Sequence, residues 1–228
     1  MIAKRKKLSK KQIKEDKLIT SYYNAVKFYD ENQSKILMGL GAVAVLVIAI
    51  VFFSNKSIED NKNAAESLAL VLDKFNNKEY EEAIEGVPGT NVVGFKSIAE
   101  NYGGTEQGEI AKIFLADCYS YLGKYDEALK YYEDYSGNNN LYKATAKAGE
   151  ALCYAAKGDN LKAAQLFEKA ADVDENNIHT AEYLLRAGIN YTKAGDSAKA
   201  KELFETIKTE YSTSTAARDV ARYSVQVN

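Results

Sequence analysis

The alternation of apolar and polar residues along this chain is interrupted once, by Ile36 to Phe53, ILMGLGAVAVLVIAIVFF, 18 residues without a charged or strongly polar side chain. As a helix the run is about 27 Å long at about 1.5 Å per residue, close to the thickness of bilayer hydrocarbon, and a helix satisfies its own backbone polar groups there. It predicts a transmembrane helix over 36–53. A buried core helix seldom extends so far without one polar position. A removable signal peptide is the other alternative. A polar lead-in over 1–35 is long for such a leader, and Phe52-Phe53-Ser54-Asn55-Lys56-Ser57 offers no small-x-small cleavage site, so the expected element is an uncleaved anchor.

Ahead of the run, Leu18, Tyr22, Val26 and Tyr29 recur at three- and four-residue spacing, and Ile19, Tyr23 and Phe28 widen the same face. This predicts a short helix lying in the membrane interface, followed by a turn over Asp30-Glu31-Asn32-Gln33-Ser34. Behind the run no segment alternates with period two, and Pro88 is the only proline. Residues 57–228 are therefore expected to be all-helical, and a segment of this size buries enough surface to fold without metals or disulfides.

That second part repeats itself. Leu115-Ala116-x-x-Tyr119 is followed by Gly123-x-Tyr125-x-x-Ala128-x-x-x-Tyr132. Ala151-x-x-Tyr154 is followed by Gly158-Asp159-x-x-x-Ala163-x-x-x-Phe167, and Gly188-x-x-Tyr191 by Gly195-Asp196-x-x-x-Ala200-x-x-x-Phe204. Each unit reads as two antiparallel helices: the glycine ends the first, small residues let the backbones approach, and an aromatic fills the space behind. A period in the mid-thirties with these positions resembles the tetratricopeptide repeat, over Asn61 to Tyr211. The early aromatic of each first helix is replaced by Lys112, Lys147 and Leu184. A degenerate repeat precedes the three, with an apolar helix around Leu68, Leu72 and Phe75, then Tyr80 and Ala83, a break at Gly86-Val87-Pro88-Gly89-Thr90, and a resumed helix over 93–102. Thr215 to Val225 is expected to cap the far end, because a terminal repeat cannot bury its outer face alone.

The resemblance implies a binding groove along the first helices. Its positions are Ile113, Asp117 and Tyr121; Ala148, Leu152 and Ala156; and Leu185, Ile189 and Lys193. An apolar groove with a few charges suits an extended peptide or a partner helix. The alternative is a groove filled by the chain's own first repeat or capping helix.

Charge changes sign across the apolar run. Residues 1–35 carry ten Lys or Arg and four Asp or Glu, a net of +6, which leaves 20 basic and 28 acidic residues and a net of −8 for 54–228. A short basic arm is retained on the cytoplasmic side, so the N-terminus is expected inside and the repeats outside. Next to a membrane span the arm reads as attracted to anionic lipid headgroups rather than to nucleic acid.

Catalytic chemistry is thin. The single histidine, His179, has no dyad or triad around it and reads as a solvent-exposed or helix-start residue; no phosphate-binding loop, metal-ligand cluster or nucleophile elbow is present. Asp126-Glu127, Glu133-Asp134 and Asp172-x-Asp174-Glu175 fall on solvated faces or turns. Cys118 and Cys153 occupy the same position of successive repeats and read as core thiols. The chain is read as a binding protein, not an enzyme, with no cofactor and no small-molecule substrate.

A basic arm, one span and degenerate tetratricopeptide repeats together resemble the single-span ancillary subunits of the bacterial Sec translocon. That resemblance implies an inner-membrane protein with a cytoplasmic N-terminus and a periplasmic repeat domain. Its partners would be the Sec channel, reached through Leu18 to Phe53, and client polypeptides or periplasmic chaperones. The competing expectation is a membrane-tethered scaffold for envelope or cell-wall assembly.

Overall fold

The computed structural model describes residues 10–174 and 177–224, with side chains from residue 17 onward. The start of the basic arm, Glu175 and Val225 lie outside the described residues. The chain divides into two compact units, residues 1–56 and 57–228. Among the described residues all regular structure is helical, and one isolated antiparallel bridge, Gly86 to Val93, is the exception.

Helix α1 spans Lys10–Asn76. Its apolar window has a mean hydropathy of 3.0, and none of that window is buried. The side chains that would be covered in a soluble core helix, such as Leu40 and Ile48, are exposed. The helix is long and apolar enough to cross a membrane. The turn expected over Asp30 to Ser34 is instead helical. No glycine or proline interrupts the stretch; Lys27 pairs with Glu31 one turn on at 3.7 Å, and Asn32 donates to the Phe28 carbonyl at 2.9 Å. The i,i+4 ion pair supports the helix through this stretch.

In the second unit, residues 57–76 of α1 bury Ala64, Leu68 and Val71 against the first hairpin's remnant. That remnant is α2 (Tyr80–Glu85) and α3 (Phe95–Tyr102), split where Gly86 takes a φ of 87° and bridges to Val93. Three regular hairpins follow: α4 (Glu106–Tyr121) with α5 (Tyr125–Glu133), α6 (Asn140–Ala156) with α7 (Asn160–Asp172), and α8 (Thr180–Ala194) with α9 (Ser197–Glu210). Helix α10 (Thr215–Ser224) packs on α8 and α9 and buries Ala216 and Val220.

The turns follow directly from two adjacent residues. At Gly195 φ is 87°, and the Asp196 amide reaches back to the Tyr191 carbonyl at 2.9 Å, a left-handed helix end that a side chain would strain. Asp196 then accepts from the Lys199 amide at 3.1 Å and caps α9. Gly158 and Asp159 repeat both halves of this arrangement between α6 and α7.

The lysines that stand where aromatics were expected are accounted for by carboxylates one turn away. Lys112 pairs with the buried Glu109 at 2.7 Å and also reaches Asp134 at 2.8 Å, while Lys147 pairs with the buried Glu150 at 2.5 Å. Glu109 further accepts from the Ser136 amide at 2.6 Å, which ties α4 to the end of α5. Pairing of this kind offsets the cost of burying a charge.

Packing of the hairpins depends on missing side chains. A Cβ placed on Gly188 of α8 would lie 2.4 Å from the Phe204 ring of α9. Gly188→Ala should therefore lower the thermal midpoint of the full chain, by an overpacking cost of about 1–3 kcal/mol, and Phe204→Leu in the same chain should recover part of the loss. Circular dichroism melting of the four variants in detergent reads the coupling. Strictly additive effects would exclude the clash.

Cys118 of α4 and Cys153 of α6 are free and fully buried, and they belong to different core clusters. Burial pushes their thiols up to about 12 and about 11. Maleimide at pH 7.5 should label neither thiol in the native chain and both in denaturant, because the thiolate is the nucleophile. A disulfide-linked peptide in unreduced mass spectra would refute this.

Candidate functional site

A cavity lined by three aromatic rings lies among the first helices of the regular hairpins and holds about 320 Å³. Helix α6 contributes Thr145, Ala148, Gly149 and Leu152, and α8 contributes Glu182, Tyr183 and Arg186, with His179 just before it. Asp117 of α4, Tyr132 of α5 and Phe167 of α7 complete the lining. Three successive hairpins thus share one depression.

Gly149 makes the arrangement possible. A Cβ there would stand 2.3 Å from Cζ of Tyr132, so its absence lets the ring lie flat against α6. From that position the Tyr132 hydroxyl donates to Oδ1 of Asp117. Desolvation pushes the Asp117 carboxyl up to about 6, against a smaller lowering by the Tyr132 hydrogen bond. No ion pair compensates Asp117 among the described residues. On the opposite wall Glu182 is engaged with Arg186, whose Nε donates at 2.8 Å. His179 is exposed, directly precedes α8, and has its ring 6.1 Å from Tyr183. Leu152, at 43 % exposure, offers an apolar contact at the rim.

Of the nine groove positions expected from the resemblance, Asp117, Ala148 and Leu152 line this cavity. Ile113 and Leu185 are buried instead: Ile113 shares a cluster with Ala146 and Cys153 of α6, and Leu185 one with Ala216 and Val220 of α10. Ile189 is half-buried against the α8–α10 cluster. Tyr121, Ala156 and Lys193 are exposed outside the cavity, and Tyr121 stacks on Tyr80 with ring centres 4.9 Å apart. The spacing argument misses Tyr132, Tyr183, Glu182, Arg186 and His179. One signal was available: Gly149 is a glycine inside an alanine-rich helix, a position that calls for close approach by another group.

Family models described as tetratricopeptide repeat match residues 113–136 and residues 182–214. These segments are tetratricopeptide repeats. The first runs from within α4 through α5 and the second from within α8 through α9, while α6–α7 between them buries Ala151, Ala163 and Phe167 in the same register. No curated protein and no solved structure matches the chain. Tetratricopeptide repeats are protein-protein interaction modules, and among the described residues no group of three His, Cys, Asp or Glu is placed to hold a metal ion.

The raised Asp117 carboxyl has a consequence for stability. Between its ordinary value near 3.8 and about 6 the folded chain keeps a proton that the unfolded chain releases. The stabilisation is complete below the lower value and is lost as pH rises through the upper one. Asp117→Asn keeps an acceptor for Tyr132 without that loss. The variant should gain stability relative to the parent from pH 4.5 to pH 7.5, by on the order of 2 kcal/mol at about 1.4 kcal/mol per unit. Thermal melts at both pH values test it, and a constant difference would show that Asp117 is ionised throughout.

Proposed function

We propose that this chain is a membrane-anchored protein-binding module, an ancillary translocon subunit of the bacterial inner membrane that receives polypeptides emerging from the Sec channel. The observation that carries the reading is the cavity shared by three successive hairpins, floored by Tyr132, Phe167 and Tyr183 and open at Leu152. An aromatic floor flanked by polar and charged side chains from three hairpins accepts an extended segment, which suits a client polypeptide better than a small molecule. The unburied apolar window of α1 supports the anchor, and the basic residues ahead of it support a cytoplasmic N-terminus with the repeats on the periplasmic side. The repeats then act without catalysis, as a holding surface from which clients pass to periplasmic chaperones, while Leu18 to Phe53 contacts the channel.

Leu152→Arg places a charge at the apolar rim and spares the buried rings. In native membranes, crosslinking of exported polypeptides to this variant should fall several-fold against the parent, with an unchanged melting curve. Undiminished crosslinking would remove the cavity from the reading. Recovery of cell-wall enzymes without any channel subunit would replace the translocon by an envelope scaffold.

A further inference from the structure

The charges around the cavity do not cancel. Arg186 is engaged by Glu182 at 2.8 Å, and His179 is exposed at the mouth and carries no ion pair among the described residues. Asp117 then remains as a carboxylate in the cavity lining whose recorded hydrogen bond is to a neutral phenol, that of Tyr132. Cys118, Tyr121 and Cys153 also feel the Asp117 charge, and none of them is a cation. A desolvated carboxylate facing a cavity without a counter-charge is costly for the unoccupied protein.

From this geometry we propose that the cavity is a subsite for one cationic side chain, Lys or Arg, of a polypeptide whose flanking residues are apolar. The proposal rests on the reading of the cavity as a polypeptide groove and names what that groove selects. The long apolar stem of Lys or Arg would pass Leu152 and lie along the rings of Tyr183 and Tyr132, and its charged end would meet Asp117. The oxygen of Asp117 that does not receive the Tyr132 hydroxyl is the acceptor. Charge complementarity extends beyond the subsite, since residues 54–228 carry a net of −8. A phenol donor leaves the carboxylate its charge, whereas a basic partner on this chain would have cancelled it. The site is therefore built to be completed from outside.

Two fluorescein-labelled peptides test this with the full-length protein in detergent micelles. Both are short alternating Ser and Leu sequences, with Lys at the centre of one and norleucine at the centre of the other. The parent should bind the Lys peptide about tenfold more tightly by fluorescence anisotropy, the ratio equivalent to about 1.4 kcal/mol. Asp117→Asn should compress the ratio to within about twofold, and Leu152→Arg should weaken both peptides. Equal binding of the two peptides by the parent, or a Lys preference that survives Asp117→Asn, overturns the proposal. The groove reading still stands in that case, provided that both peptides bind and Leu152→Arg weakens them. Failure of both peptides to bind the parent overturns the groove reading and the proposal together.

Discussion

The repeat domain depends on aromatic rings seated where a neighbouring helix lacks a side chain. Phe204 lies over Gly188 within one hairpin, and Tyr132 lies over Gly149 between two. The first contact sets how closely α8 and α9 approach, and the second sets how α5 meets the next hairpin. Buried alanines do the same at lower cost elsewhere, as Ala151 and Ala163 do in the α6–α7 hairpin. Because interiors are packed at the density of organic crystals, neither contact tolerates an added methyl without movement of a ring or of a backbone. The rings therefore fix helix spacing first, and the shape of the cavity follows from that spacing.

Much of this was legible in the sequence because its signals are local. Gly195 followed by Asp196 ends one helix and caps the next with two adjacent residues, and Gly158 with Asp159 does so again. The 18-residue apolar run needs only composition to be recognised. What was not legible is set by more distant packing. Ile113 and Leu185 lie on the expected stripe, yet both are buried in core clusters that draw on neighbouring helices, whose rotation is not encoded in the period of the helix they cover. The turn expected over Asp30 to Ser34 failed for a different reason. Asp, Asn and Ser favour caps only when their side chains bond to frayed backbone, and here Asn32 bonds instead to a carbonyl one turn back.

The lysines at 112 and 147 show how a repeat departs from its usual pattern without losing its fold. An aromatic at that position would fill space by its own bulk. A lysine fills it with its stem and places a charge that must be answered, and Glu109 and Glu150 answer at a distance of three residues. The substitution converts a packing contact into an ion pair on a buried carboxylate, which is intolerant of losing its lysine.

The place of the cavity follows from how the two ends of the array are closed. At the N-terminal end the broken hairpin supplies rings in place of a regular helix: Phe75 meets Phe114 edge to face at 5.2 Å, Phe95 stacks on Phe114 at 5.4 Å, and Tyr80 stacks on Tyr121. At the C-terminal end Val220 and Ala216 of α10 close over the cluster that contains Leu185. Each closure uses the apolar surface of the terminal hairpin beside it. The α6–α7 hairpin has a regular hairpin on both sides and no cap to cover its first helix, so Leu152 stays exposed there and the buried Ala148 still lines the cavity. Asp117 of α4 lines that opening, and the Tyr132 hydroxyl that donates to it sets the carboxylate beside the aromatic floor.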